Sequence, residues 1–329
     1  MKLKLKKGWR FKGNEIKYVK KVLKNDFSAG SDSSMTEKFE KKFSKIHGQN
    51  FAIASNSGTS TLHQALLAMG VGHGHEVIIP ALTVAMCGFA VWHCGAVPVY
   101  ADVDPESFLI DPKDIEKKIT KKTKAIMVVH LYGLMCDMDS ILKIANKHKI
   151  RVLEDCAQCF LGQDDKKRIS GTVGSIGSWS LESSKHISSG EGGVLTTNDA
   201  KFAKIMRKYG TLGFKNITAQ NGKVRINRDK FQDPNWERHD QFGYNYRLSE
   251  VCAAVALAQT EKISIFIKKR VEAGNAFLQC IKKAKTNLLI PQKIKKDYKH
   301  TFYTFACIFN GEKYNISWQT FRKKFTRSF

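Results

Sequence analysis

Three short constellations in this sequence could carry chemistry. Lys185 stands in the run Ser178-Trp179-Ser180 to Gly193, among small and hydroxyl residues. Ser189-Gly190-Glu191-Gly192-Gly193 forms a tight turn, with glycine where a positive φ is cheap. A lysine held there can be desolvated and act as a Schiff-base nucleophile; an ordinary surface lysine is the other reading. Asp155 closes the run Val152-Leu153-Glu154-Asp155, at the C-terminal edge of an expected buried strand, where parallel α/β sheets place ligands. A buried carboxylate needs a partner, and a protonated ring nitrogen would supply one; capping the next helix is the alternative. Ser57-Gly58-Thr59-Ser60 lies where a strand meets a helix. Unpaired amides, the positive dipole end and two kinds of hydroxyl make it either a phosphate cradle or a plain N-cap.

Other candidates are weaker. His73-Gly74-His75 offers two metal-type ligands without an evident third. Cys156-Ala157-Gln158-Cys159 has redox spacing but overlaps the Asp155 motif, and two small apolar fillers are the simpler reading. Gly174-Ser175-Ile176-Gly177 lacks the helix and downstream acid of a dinucleotide fingerprint.

The elements that must position these residues alternate from about residue 34 onward. Ser34 and Glu37 make a capping box, followed by Phe39, Phe43 and Ile46 at helical spacing, with Gly48 as a stop. Phe51–Ser55 reads as a strand, and Thr59–Met69 as a helix with Leu62, Leu66 and Met69 on one face. Val77–Ile79, Val97–Tyr100, Ala125–Val129, Arg151–Glu154 and Val194–Thr196 read as short buried strands. Asp114–Ile119, Met138–His148 and Ala200–Tyr209 read as helices between them. The alternation predicts a mainly parallel α/β sheet covered on both faces. The charge-free stretch Val77–Ala101 is broken by Pro80, Gly88, His93, Gly95 and Pro98, and so reads as buried core rather than a membrane span. Gly213–Pro234 is polar and predicts a long loop. A single helical pattern from Leu248 to about Lys283 leads to a smaller C-terminal domain, with His300–Asn310 as one of its strands.

Composition sets the class. The chain has 329 residues and is 42% hydrophobic, enough for one large domain plus a smaller one. Its 55 Lys and Arg against 30 Asp and Glu give a formal charge of +25, which raises the expectation of an anionic partner. The basic residues are spread along the chain, with small clusters at Lys2–Lys7, Lys117–Lys124 and Arg322–Lys324, and no aromatic-interleaved stripe. A solvated surface is the reading, and nucleic acid is not the expected partner. Eight cysteines without a framework, and a charged opening run with no apolar stretch behind it, point to a reducing cytoplasm.

From about residue 10 to about 310 the chain resembles the DegT/DnrJ/StrS sugar aminotransferases, which are fold-type I, aspartate-aminotransferase-like pyridoxal enzymes. Ser57-Gly58-Thr59 followed by Leu62–Leu66 resembles their phosphate-binding helix start. Gly74–Pro80, Val99–Asp104, Val129–Gly133, Glu154–Gln158 and Gly243–Leu248 match further segments in the same order. The resemblance implies a large three-layer αβα domain over 1–262 and a small domain over 263–329, incomplete because relatives continue beyond this length. It implies pyridoxal 5'-phosphate as cofactor, with Lys185 as the Schiff-base residue and Asp155 paired to the pyridine nitrogen. Gln158 would lie near the ring hydroxyl, and Gly58, Thr59, Ser60 and Ser180 would hold the phosphate. Asn245 would reach the phosphate of the other subunit of a homodimer. Where relatives carry a ring-stacking aromatic this chain has Val84, so the stacking partner is open.

The implied reaction moves an amino group from glutamate or glutamine to a keto sugar, most simply a nucleotide-linked keto hexose. The cofactor would act as electron sink, with Lys185 carrying the proton. The Ser189–Gly193 turn also resembles members that aminate cyclitol ketones. A dehydratase of the same fold would carry His where Lys185 stands, and His186 is one residue away. Glu182 and His186 flank the lysine, and contact with substrate is read for them slightly ahead of local packing. A non-catalytic scaffold using its charge to bind nucleic acid is the different-class alternative.

Overall fold

The computed structural model describes residues 9–27, 34–222 and 227–327, so the basic cluster Lys2–Lys7 lies outside the described residues. Seven short strands form one sheet: β1 (Phe51–Ser55), β2 (Glu76–Pro80), β3 (Val97–Ala101), β4 (Thr123–Val129), β5 (Arg151–Asp155), β6 (Ile176–Ser180) and β7 (Gly193–Thr197). Their order is β1-β7-β6-β5-β4-β2-β3. Only β7 runs against its neighbours, pairing antiparallel with both β1 and β6. The other pairs are parallel, as the βα alternation predicts. The helices are α1 (Glu15–Lys24), α2 (Met35–His47), α3 (Gly58–Ala68), α4 (Met86–His93), α5 (Pro112–Lys118), α6 (Met138–Lys147), α7 (Ala200–Gly210), α8 (Arg228–Gln232), α9 (Glu250–Thr260), α10 (Ile263–Ala284) and α11 (Trp318–Arg327).

Two apolar clusters hold the sheet from its two sides. One gathers β2, β4 and β5 residues such as Ile78, Ile126 and Leu153 with Leu66 of α3 and Ile141 of α6. The other packs Phe39 and Phe43 of α2 with Phe160, Trp179 and α9. Burying each large apolar side chain contributes roughly 1.5–3 kcal/mol. The expected capping box forms: Ser34 accepts from the Glu37 amide, and the Glu37 carboxylate accepts from the Ser34 amide.

Several expectations change. Ile176–Ser180 is a fully buried strand that periodicity missed, because Gly177 and two serines interrupt its apolar run. β3 is an edge strand with Val97 and Tyr100 exposed, not a buried one. The charge-free segment does form strand, helix and strand, yet it leaves Leu82, Val84, Met86, Phe89 and Trp92 on the surface. The single long helix is two, α9 and α10, broken at Glu261–Lys262. There Glu261 accepts from Asn14 and Tyr18, and Lys262 donates to Glu15 and to the Arg10 carbonyl. Of His300–Asn310 only β9 (Cys307–Phe309) is a strand, paired with β8 (Leu289–Pro291). Residues 300–304 instead form an arm that docks on the loop after β4 through Thr301 N to Gly133 O and Tyr303 N to Tyr132 O, both 2.8 Å. The polar segment 213–234 contains the one-turn α8, and residues 223–226 of it lie outside the described residues.

Candidate active site

Parallel pairing sets the acid in place. Val129 of β4 and Ser178 of β6 flank Asp155, at the C-terminal end of the strands. Alternation along β5 then sends Glu154 and Asp155 to opposite faces. Glu154, fully buried, accepts from the amides of Gly171 (2.8 Å), Val173 (2.7 Å) and Gly174 (2.5 Å), and from His130 Nε2 (2.8 Å). Burial pushes its pKa up, but His130 and the amides bring it below the ordinary carboxylate value. His130 Nδ1 accepts from the Cys136 amide, so the imidazole is neutral, with its proton on Nε2. Glu154, His130 and Cys156 have ligand atoms within 4.8 Å of one another, but the first two are already partnered as a structural network.

Asp155 is the opposite case. It is 3% exposed, yet among the described residues its donors are only the Ala157 amide to Oδ1 (2.9 Å) and the Cys87 thiol to Oδ2 (3.4 Å). Burial raises its pKa above the ordinary value, against those two donors and the nearby charge of Lys185. The Ala157 contact closes a turn after β5 and is not a helix cap, since no helix stands between β5 and β6. It leaves acceptor capacity in a buried carboxylate that faces a cation.

Lys185 lies in the turn after β6. Leu181 N donates to Gly192 O (2.8 Å) and Ser189 N to Leu181 O (3.0 Å), closing the turn around the lysine. Gly190 sits at φ +88°, which suits glycine. Lys185 Nζ lies 4.8 Å from the ring centre of Tyr303, a cation–π contact, and the Tyr303 hydroxyl meets Ser184 Oγ at 2.8 Å. Arg10 donates to the carbonyls of Ser183 (2.9 Å), Lys185 (2.6 Å) and His186 (3.4 Å).

The residues flanking the lysine have partners within the chain. Glu182 caps its own turn, accepting from the Ser184 amide and from the Ser183 and Ser184 hydroxyls. His186 is buried, with Nε2 donating to Thr301 O at 3.0 Å and its ring between Phe160 and Tyr303. Burial, with the charge of Arg270, pushes its pKa down to about 3. Of the two readings for this pair, local packing accounts for His186, while Glu182 holds its own turn.

The phosphate cradle forms at the start of α3. Ser57 is its N-cap and accepts from the Ser60 amide, while Ser60 Oγ accepts from the Ser57 amide and donates to Asn56 Oδ1. Among the described residues, the Gly58 and Thr59 amides are the first-turn donors given no acceptor in the chain. Gly58 lies against Ser180, so that a Cβ there would sit 2.7 Å from Ser180 Cβ. The helix start and the end of β6 thus meet with space for backbone only.

Gln158, 7% exposed, accepts from the Tyr132 amide at 2.8 Å, which ties it to the loop that receives the C-terminal arm. Gly58, Thr59, Ser60, Ser180, Asp155 and Lys185 thus ring the C-terminal edge of the sheet. Asn245 stands apart: it is exposed, accepts from Arg247 Nε and belongs to a surface segment. Val84 is 42% exposed and provides no ring. Arg10, Tyr303 and Cys87 join the site without any sequence signal, since each comes from a segment with no motif of its own.

The other candidates resolve simply. His75 Nδ1 accepts from the Gly72 amide inside a turn. Cys156 and Cys159 are buried, and burial pushes both thiols up, Cys159 to about 12, as suits fillers rather than redox groups. A cavity of about 770 Å³ near Leu109, Met135 and Tyr298 contains none of the site residues. No helix is long and apolar enough to cross a membrane among the described residues.

The residues present fit a pyridoxal phosphate. A phosphate finds orphan amides, a ring nitrogen finds an under-partnered buried carboxylate, and an aldehyde finds a lysine. Comparisons agree with that fit. The chain is 37% identical over 296 residues to GDP-perosamine synthase of Escherichia coli O157:H7, covering 90% of this chain and 75% of that one. It is 40% identical over 172 residues to L-glutamine:2-deoxy-scyllo-inosose aminotransferase of Streptomyces lividus, covering 52% of this chain and 40% of that one. Among solved structures it superposes on NtdA of Bacillus subtilis with bound cofactor PMP at a TM-score of 0.75 and 27% identity, covering 92% of this chain and 65% of that one. The family profile described as DegT/DnrJ/EryC1/StrS aminotransferase matches residues 10–326, and the chain belongs to this family of pyridoxal-phosphate-dependent, fold-type I aminotransferases.

Proposed function

We propose that this chain moves an amino group from glutamate or glutamine to a nucleotide-linked keto hexose in amino-sugar or surface-polysaccharide biosynthesis. The observation that carries the aminotransferase chemistry is the buried Asp155 carboxylate, with open acceptor capacity, facing Lys185. The likeness to GDP-perosamine synthase over 90% of the chain favours the sugar-nucleotide substrate. A cyclitol ketone is the second reading, favoured by the likeness to the scyllo-inosose enzyme.

In this reading Lys185 Nζ would hold the cofactor covalently, and Asp155 would hold its ring nitrogen. Gly58 and Thr59 amides with the Ser60 and Ser180 region would hold its phosphate, and Gln158 would lie near the ring hydroxyl. When bound, the cofactor serves as an electron sink for the carbon that loses its proton. The chain's own part is then positional and acid–base. Asp155 would stay ionised beside the ring nitrogen, and Lys185 Nζ would take and return the substrate proton. His186 cannot replace Lys185 as in a dehydratase, because its ring is turned into the core toward Thr301.

The assembly is proposed as a homodimer. Leu82, Val84, Met86, Phe89 and Trp92 are exposed apolar side chains on or just before α4, the helix whose Cys87 meets Asp155. Asn245, exposed on the same chain, would then reach the partner's cofactor phosphate. A cytoplasmic location suits such a biosynthetic enzyme. The domain division proposed is 1–262 and 263–329, supported by the break between α9 and α10.

The test is amine transfer assayed against a panel of nucleotide-linked keto sugars and cyclitol ketones, with glutamate and glutamine as donors. Turnover of a sugar nucleotide is expected. A purified protein that takes up no pyridoxal phosphate and gains no visible absorbance would sink the reading.

A further inference from the structure

Asp155 is held from the side of α4 by a thiol. Cys87, fully buried, places Sγ 3.4 Å from Asp155 Oδ2, and Thr83 Oγ1 lies 3.3 Å from the same sulfur. Burial, then the Asp155 charge, pushes the Cys87 thiol well above its ordinary value, so it stays an S–H donor. An ionised carboxylate can only accept, which fixes the direction of the contact as Cys87 to Asp155. Thr83, free to rotate its hydroxyl, can donate to the sulfur in turn. The result is a short relay from the loop after β2, through the first turn of α4, to the end of β5.

We propose that Cys87, backed by Thr83, is a positioning residue that orients the Asp155 carboxylate toward the cofactor's ring nitrogen. This rests on the pyridoxal-phosphate reading of the site. The Ala157 amide occupies Oδ1 and the thiol occupies one side of Oδ2. Together they fix the rotation of the carboxylate plane, leaving the remaining lone pair of Oδ2 for the ring N–H. The relay also favours the ionised form of Asp155, since a donor to a carboxylate stabilises its charge. The charged and titratable groups around Asp155 are few. Lys185 lies on the turn after β6, neutral His130 follows β4, Cys87 is on α4, and Glu154 and Cys156 are chain neighbours. Among these only Lys185 offers a positive charge, and Lys185 is the group that a bound cofactor would engage. Cys87 is then the side-chain donor that remains with the acid throughout.

The test is a titration of the full-length apoprotein with pyridoxal phosphate across a pH series, read as the dissociation constant and as the visible band. Wild type, Cys87→Ser, Cys87→Ala and Cys87→Val are compared, with circular dichroism melts as the fold check. Cys87→Ser keeps a hydroxyl donor and is expected to track wild type. Cys87→Ala and Cys87→Val lack a donor and are expected to bind roughly three- to tenfold more weakly, the deficit widening as pH falls. The sign follows from linkage. Without the donor, Asp155 is protonated at a higher pH, and a protonated carboxyl is the wrong partner for a protonated ring nitrogen. Folded donor-less variants with the wild-type pH profile would overturn the proposal. So would a Cys87→Ser variant as weak as Cys87→Val, which would assign the effect to sulfur packing. A wild-type protein that binds no pyridoxal phosphate at any pH is a different result and removes the underlying reading instead.

Discussion

The guanidinium of Arg10 donates to the carbonyl oxygen of Lys185 at 2.6 Å, although 175 residues separate the two in sequence. The backbone of Arg10 is itself fixed, its carbonyl accepting from Gln259 Nε2 (2.9 Å) and Lys262 Nζ (3.1 Å). The lysine turn is therefore strapped to the junction of α9 and α10 through one N-terminal side chain. Arg10→Ala leaves up to three carbonyls short of a donor. A loss of about 1–3 kcal/mol in denaturant unfolding is expected, with slower growth of the visible cofactor band in stopped-flow mixing. An unchanged unfolding midpoint and unchanged band kinetics would remove Arg10 from the positioning role.

Lys185→Ala should retain weak, non-covalent uptake of pyridoxal phosphate but lose the visible covalent band. Borohydride treatment of the loaded wild type should add one cofactor mass to the peptide containing Lys185. A trapped adduct on any other lysine would refute the assignment.

Gly58 leaves no room for a side chain, because its Cβ would stand 2.7 Å from Ser180 Cβ. Gly58→Val should weaken pyridoxal phosphate binding by about tenfold or more through displacement of the cradle amides, with about 1–3 kcal/mol of strain in the fold. Binding of phosphate-free pyridoxal should change far less. Equal losses for both ligands would mean that the helix start does not hold the phosphate.

Phe89 and Trp92 stack at 5.8 Å between ring centres on the exposed face of α4, and Trp92 is 59% exposed. If this face is the dimer contact, Phe89→Asp with Trp92→Asp should yield a monomer in light scattering and remove amine transfer. A dimer that survives both charges would place the interface elsewhere.

His186 and His300 are buried, and burial lowers each to about 3. Their folded values lie below the unfolded value of about 6.5. The stability they contribute is therefore fully present above pH 6.5 and is lost progressively as pH falls toward 3. Melting temperature should decline steadily below about pH 6.5. His186→Gln, which can still donate to Thr301 O, should flatten that decline. A variant as acid-sensitive as wild type would show that His186 does not govern the acid limb.

How much of this was legible differs from element to element. The α/β alternation, the capping box at Ser34 and Glu37 and the acid ending β5 follow from local pattern, because helix and strand periods and caps are local physics. The lysine, acid and small-residue turn could be recognised as residue types at positions, and their order along the chain carried the family. The strand β6 escaped because its glycine and serines hide a buried strand's signature. The arm at 300–304 escaped because its partners, Tyr132 and Gly133, belong to a distant loop.

Sequence by itself determined which groups could do chemistry and the class of fold that carries them. Only the tertiary structure decided which neighbours each group keeps. Adjacent Glu154 and Asp155 are alike in sequence, yet one is saturated by three amides and an imidazole while the other keeps open acceptor capacity. Adjacent Lys185 and His186 part in the same way, one toward the acid and the other into the core. The physical reason is that partnering and burial are set by strands and loops far apart in the chain, and no local pattern encodes them.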